Sequence, residues 1–492
     1  MKKHSHSFLA AILGLVILSG AVIFTLGKID NKWDINRFNN QKLKWSSCYD
    51  NFECSSFKVP IDYQDLTLGV FRIQVIKHSA FDQKHRLGSI VVNPGGPGGS
   101  GIDYVYSADS SFSKALLTKY DFIGFDGRGV GSSDPITCLT DKESDNFIDI
   151  DGSTNSQREL EKLKSAASYF ADACAKKAGV KLGHISTFEN AKDMEVLRNI
   201  LRESKLNYLG KSYGTFLGAI YISLYPEKVG KFILDGAIDP NVSITEQSLN
   251  QAVGFEKALD DYLKTYKEFS KARIQQFIED AGTKPMKAKD GRVLSRSLVI
   301  TAIAASLYDN KLGWLSLRKG LSDAIKKGDS HFLFTLADSY NNRDANGHYY
   351  NNQNDIGIAI DCLDWNSRKS AEEIAKDVPK FVKASQTFGR YISFSQLPCT
   401  YWKAPPVESG ITFKDVKSPP FVIIGVTKDP ATPYIWSQNL AKVFPSSVLL
   451  TFAGEGHTGH NRGNSCIDSK VDAFFLQGKL PEAGATCVAS GN

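Results

Sequence analysis

The sequence predicts an α/β fold: a mostly parallel sheet flanked by helices, carrying a large helical insertion. Three observations predict it. Short apolar runs recur between stretches of helical periodicity, as buried strands and their crossover helices do. Several of these runs end in glycine-rich turns, at the carboxyl ends of strands where chemistry gathers in such sheets. The alternation then stops over residues 241–417, which read as one helical stretch after another, and resumes at 418–492.

The first 27 residues read as a targeting segment. Lys2 and Lys3 precede an uncharged run over 8–27, which as a helix at ~1.5 Å per residue could span a bilayer. Ser19-Gly20-Ala21 offers a small-x-small cleavage site, so 1–27 is a signal peptide or an N-terminal membrane anchor. Either way the leading lysines stay inside and the remainder is exported. Eight cysteines agree with export, since an even number in an exported chain suggests a disulfide set. Pairing in sequence order (48–54, 138–174, 362–399, 466–487) would close only local loops, although the sequence does not choose among about 105 connectivities. The net charge of +6, from 59 basic and 53 acidic residues, is interspersed and reads as solvated surface, which excludes a nucleic-acid footprint. At 492 residues the chain exceeds one ordinary core.

Residues 28–240 form the first part of the α/β core, beginning with a polar linker over 28–40. Strand patterns follow at 57–63 and 69–78. Gly88-Ser89-Ile90-Val91-Val92 is a buried strand that runs into Asn93-Pro94-Gly95-Gly96-Pro97-Gly98-Gly99-Ser100-Gly101. So many glycines demand close backbone approach, which suits main-chain N–H groups aimed at a developing anion. A phosphate-cradling loop is excluded, because no Lys-Ser/Thr follows. The strand at 120–125 leads to Asp126-Gly127-Arg128-Gly129, where Asp126 and Arg128 read as a structural pair fixing the loop. Helical periodicity covers 159–177 and 190–203, with Met194, Leu197, Ile200 and Leu201 on one face.

The apolar run 206–209 then enters Gly210-Lys211-Ser212-Tyr213-Gly214, followed by a helix over 216–225. This is the strand–turn–helix setting of a nucleophile elbow: a serine at the tip of a strained turn, with small residues two before and two after it. A further strand covers 231–236. The insertion should hold helices at 247–266, 269–281, 295–307, 314–327 and 371–385, and Asp361, Asp364, Trp365, Tyr401 and Trp402 are its candidates for lining a substrate site. In the last part, the strand 421–426 ends in Thr427-Lys428-Asp429-Pro430, a helix covers 434–444, and the strand 447–452 leads into Gly454-Glu455-Gly456-His457-Thr458-Gly459-His460.

A serine nucleophile needs a base, and the base needs an orienting acid. The chain order Ser212, Asp429, His457 supplies both at strand ends, in the order found on α/β-hydrolase folds. His460 competes as base and Asp235 as acid. A metal pair at His457 and His460 lacks further ligands, so no metal and no cofactor enter the reading.

With those residues in hand, the chain resembles the tripeptidyl-aminopeptidase-like serine hydrolases, relatives of the proline iminopeptidases within the α/β-hydrolase fold. The matching stretches are NPGGPGGSG, DGRGVGSS, YLGKSYGTFLGAIY, ILDGAIDP, the Cys399–Trp402 segment, VTKDPATPY, GEGHTGH and the tail around Ser465-Cys466, Gln477 to Pro481 and Cys487. The resemblance implies a secreted exopeptidase that removes short peptides or residues from free N-termini; the membrane enters only through the anchor that residues 8–27 could form. It implies Ser212 as nucleophile, Asp429 as orienting acid, His457 as base, and Tyr213 and Gly96 as oxyanion donors. The acidic residues that would hold the substrate amine lie in the insertion, where the resemblance is poor.

Overall fold

The structure, a computed structural model, describes residues 34–489 apart from 154–155, 289–290, 408–409, 412 and 414. The targeting segment expected at 1–27 lies outside the described residues.

Ten strands form one sheet among the described residues: β1 (Ser46–Cys48), β2 (Phe52–Pro60), β3 (Val70–His78), β4 (Gly88–Asn93), β5 (Tyr120–Phe125), β6 (Leu206–Lys211), β7 (Val229–Asp235), β8 (Phe421–Lys428), β9 (Ser447–Glu455) and β10 (Thr486–Val488). Their order is β1-β2-β3-β5-β4-β6-β7-β8-β9-β10. The pairs from β5 to β10 are parallel, and those joining β1, β2, β3 and β5 are antiparallel. The order reverses at β4, so the loops after β4 and β6 flank a crevice at the carboxyl edge.

β4 and β5 are buried along their whole length because helices cover both faces. Alternate residues serve opposite cores. Val91, Ile123, Leu234 and Ile423 pack with α2 (Gln157–Ala178), α3 (Thr187–Ile200) and α4 (Tyr213–Leu224). Ile90, Val92, Phe122, Leu209 and Ile233 pack on the other side with α1 (Gly101–Tyr106) and a C-terminal helix at Ser465–Gln477.

Between β7 and β8 the chain is helical, apart from a two-residue ribbon pairing Met286–Lys287 with Val293–Leu294 that the sequence did not signal. Helices α5 (Ile244–Thr265), α6 (Lys271–Thr283), α7 (Arg296–Leu307), α8 (Leu312–Ser322) and α9 (His331–Tyr340) share a core of their own, around Leu259, Ile274, Ile303, Leu317 and Leu333. A Ser243/Glu246 capping box starts α5. The helix α10 (Gln353–Asp364) behaves differently. Its Ile356, Ala359, Ile360 and Leu363 join the core of the sheet. Helices α9 and α10 were not legible, because polar residues flank both and break the apolar run. α11 (Ala371–Ala384) matches the expected 371–385.

Four disulfides join Cys48–Cys54, Cys138–Cys174, Cys362–Cys399 and Cys466–Cys487, the local pairs in sequence order. The third ties α10 to the segment after α11.

The expected pairing of Asp126 with Arg128 is corrected. Both fix the loop, but through other partners. The Asp126 carboxylate accepts from Ser100 Oγ (2.6 Å) and Ser132 N (2.8 Å). Arg128, fully buried, makes a two-pronged ion pair with Asp193 of α3 (2.6 and 2.7 Å) and donates to the Ile61 carbonyl (2.6 Å). Spacing of two in a loop could not reveal a partner on a helix 65 residues away. Removing one member leaves a buried charge unpaired, so Asp193→Asn should lower folding stability by about 3–5 kcal/mol, measured by urea unfolding.

Candidate active site

The elbow has the geometry its spacing predicts. Ser212 sits at φ 54°, ψ −123°, the strained conformation that aims its side chain off the sheet edge. Glycine is required on both sides: a Cβ at Gly210 would stand 2.4 Å from the Gly214 carbonyl, and one at Gly214 2.8 Å from Asn93 Oδ1. The backbone N–H of Ser212 donates to the carbonyl of Asp235 (2.9 Å), fixing the turn against the end of β7.

The glycine-rich loop after β4 lies against this turn. A Cβ at Gly95 would meet Ser212 Cβ at 2.9 Å and Tyr213 N at 3.3 Å. Gly95 N is held by Asn93 Oδ1 (2.9 Å). The Gly96 N–H donates to no group among the described residues, and Tyr213 N begins α4, where the first N–H groups have no intrahelical partner. Gly96, Ser212 and Tyr213 line one cavity, so the two donors expected for an oxyanion border the same space as the serine.

Asp429 and His457 are joined directly. His457 Nδ1 lies 2.9 Å from both carboxylate oxygens. Asp429 is buried and also accepts from Ala431 N (2.9 Å), Thr432 N (2.8 Å), Thr432 Oγ1 (3.0 Å) and Thr458 N (3.2 Å). Such a donor set fixes the position of the carboxylate, as an orienting acid requires. The imidazole comes to the same rim as the serine: Gly236, next to the Asp235 carbonyl that fixes Ser212, would carry a Cβ 3.4 Å from His457 Cε1. Ser212 and His457 share no hydrogen bond in this structure, a bond that in unliganded sites often tightens only with substrate.

The two competitors are engaged with other partners. Asp235 is fully buried and accepts from the backbone N–H groups of Gly459 (2.7 Å) and His460 (2.9 Å), so it braces the histidine loop from below. Burial raises its carboxyl pKa, opposed by the nearby Lys211 charge and by those two donors. Lys211 Nζ donates to the His460 carbonyl (2.8 Å). His460 is buried beside Phe112, and desolvation, reinforced by Lys211, pushes its pKa down to about 3. It is a neutral core histidine.

A cavity of about 370 Å³ opens beside Ser212. Its walls include Gly96, Tyr213, Phe255, Tyr308 and, from α10, Asp361 and Asp364. Of the insertion candidates, Asp361, Asp364 and Trp365 thus line the site. Trp402 does not, packing instead against Phe170 in the core, and Tyr401 lies beside that core. Asp364 accepts from Thr187 N (2.8 Å) and Thr187 Oγ1 (2.5 Å), and Thr187 Oγ1 lies 2.5 Å from the Tyr213 hydroxyl. Neither aspartate forms an ion pair among the described residues. Desolvation pushes Asp361 up to about 7, and pushes Asp364, which also feels Asp361, up to about 8. Sequence could name both residues but could not single them out, because only the fold of α10 turns them into the cavity.

Comparison with known proteins agrees with this architecture. A protein of Mycobacterium tuberculosis named serine protease Hip1 is 32% identical over 484 residues, covering 91% of this chain and 91% of its own. The chain belongs to the tripeptidyl-aminopeptidase-like serine hydrolases. The family model described as TAP-like protein matches residues 384–487 of this serine hydrolase. Carboxylesterase B of M. tuberculosis is 32% identical over 472 residues (90% and 89% covered). Tripeptidyl aminopeptidase of Streptomyces lividans is 28% identical over 478 residues (90% and 86% covered).

Two outcomes follow from the geometry. Asp429→Asn should lower kcat by about 10⁴-fold through loss of the correct imidazole tautomer, measured with an activated ester or peptide substrate. Asp361 is raised above the ~3.9 of an unfolded carboxyl, so the folded state keeps a proton that the unfolded chain has lost. Its contribution to stability is full below about pH 4 and declines as pH rises toward 7. Asp361→Asn should therefore match the wild type near pH 4 and exceed it in melting temperature at pH 8.

Proposed function

We propose that this serine hydrolase is an exported exopeptidase that releases short peptides or residues from free N-termini, through a Ser212–His457–Asp429 triad and an acyl-enzyme. The observation that carries the exopeptidase reading is the pair Asp361 and Asp364. Two carboxylates without a cationic partner share a cavity with Ser212, and a substrate ammonium would supply the missing charge. Burying carboxylates unpaired destabilises a protein, so their presence on this wall suits a cationic ligand. The S. lividans relative, named a tripeptidyl aminopeptidase, supports the same reading. The four disulfides support export.

In the proposed mechanism, His457 takes the Ser212 proton as the hydroxyl attacks the scissile carbonyl. The anion that forms is stabilised by Tyr213 N–H and Gly96 N–H, each worth ~2.7–4 kcal/mol when such donors are removed elsewhere. Asp429 holds the imidazole and balances its charge. His457 then gives the proton to the leaving amine, the acyl-enzyme forms, and water repeats the sequence in reverse roles. The residues need no metal or cofactor for these steps.

An esterase acting through the same triad is the second reading, favoured by the name of the carboxylesterase B relative. One panel separates them: peptides with free N-termini, the same peptides N-acetylated, and short acyl esters, with products read by mass spectrometry. The exopeptidase reading expects N-acetylation to abolish cleavage. It also expects Asp361→Asn with Asp364→Asn to lower kcat/KM for free peptides by about tenfold or more, while ester hydrolysis changes little. Equal cleavage of blocked and free peptides would overturn it.

A further inference from the structure

The helical insertion does more than close the cavity. Its helix α7 ends at Leu307, and the next residue, Tyr308, reaches the histidine loop. The backbone N–H of His457 donates to the Tyr308 carbonyl (2.9 Å), and Arg462 Nη2 donates to the same carbonyl (3.2 Å). Arg462 also pairs with Asp309 (3.3 Å), and Lys311 Nζ donates back to the Arg462 carbonyl (3.3 Å). Gly456, directly before His457, accommodates this contact: a Cβ there would stand 3.1 Å from the Tyr308 carbonyl.

The side chain of Tyr308 makes a second, independent contact. Its ring stands perpendicular to the His457 imidazole, at 89°, with centroids 5.2 Å apart. That is a favourable edge-to-face arrangement. The ring is itself held by Phe255 (5.5 Å) and Tyr340 (6.1 Å), and all three line the cavity beside Ser212. Asp429 and, at 3.4 Å, Thr432 Oγ1 meet the Nδ1 edge of the imidazole, whereas one residue of the insertion, Tyr308, supplies both a main-chain and a ring contact to His457.

We propose that Tyr308 is a positioning residue for His457, so that the insertion completes the catalytic apparatus as well as covering it. A substrate seated in the cavity presses on the same aromatic wall that orients the base. The Ser212–His457 hydrogen bond, not formed in this structure, would then form as the wall settles around the substrate. This inference rests on the triad assignment proposed above.

The test compares Tyr308→Leu, which removes the ring and keeps the carbonyl, with Tyr308→Phe, which keeps both. Two readouts are used: kcat and KM on a cleaved peptide, and the rate at which a fluorophosphonate labels Ser212, which does not depend on the peptide chosen. Tyr308→Leu should lower kcat and the labelling rate by about tenfold with KM within twofold, and Tyr308→Phe should recover most of the loss. The charged groups around the imidazole (Asp429, Asp235, Lys211 and Arg462) are unchanged in both variants. An increase in KM alone would mean that the ring only lines the cavity, and equal loss in both variants would assign the effect to the tyrosine hydroxyl; either overturns the proposal. If Tyr308→Leu melts below the assay temperature, Tyr308→Met carries the same comparison. Failure of the wild type to label would instead overturn the triad assignment.

Discussion

Asp235 is the junction on which the site depends. Its carbonyl fixes the backbone of Ser212, and its carboxylate holds the N–H groups of Gly459 and His460. Two loops more than 240 residues apart in sequence, the serine turn and the histidine turn, are thereby tied to one residue at the end of one strand. Lys211 reinforces the tie from the serine side by bonding the His460 carbonyl. The carboxylate is fully buried, a situation that is stable only when its charge is met by donors and a neighbouring cation. The rival acid offered by the sequence is thus bonded to the backbone of the histidine loop, and the imidazole of His457 is bonded to Asp429.

The helical segment between β7 and β8 divides its work between two cores. α5 to α9 pack on one another and present aromatic side chains to the cavity, whereas α10 packs into the body of the molecule and is fastened by the Cys362–Cys399 bridge. The acidic wall therefore belongs to the part that shares the core of the sheet and the aromatic wall to the part with its own core.

Electrostatics set the character of the cavity. Asp361 and Asp364 are three residues apart on one helix, on the same face, and the nearby Asp361 adds to the burial that makes Asp364 costly to ionise. Thr187 stabilises only Asp364 directly and connects it to the hydroxyl of Tyr213, the residue that follows the serine. The proposed amine-binding wall and the proposed oxyanion donor are thus linked through a single threonine.

Sequence alone determined most of the buried strands and named the residues proposed to react. Buried parallel strands are continuous apolar runs, and the turns at their ends need glycine for steric reasons, so both leave local marks: 88–92, 120–125, 421–426 and the Gly210–Gly214 turn were all legible. What it could not determine were matters of long-range pairing. The partners of Asp126 and Arg128, the bracing role of Asp235, the burial of His460, and the turning of Asp361 and Asp364 into the cavity each depend on a residue far along the chain. Only the tertiary structure decided them, because a carboxylate or an imidazole looks the same in sequence whether its environment is solvent, a cation or a backbone N–H, and that environment exists only once the sheet has closed its layers.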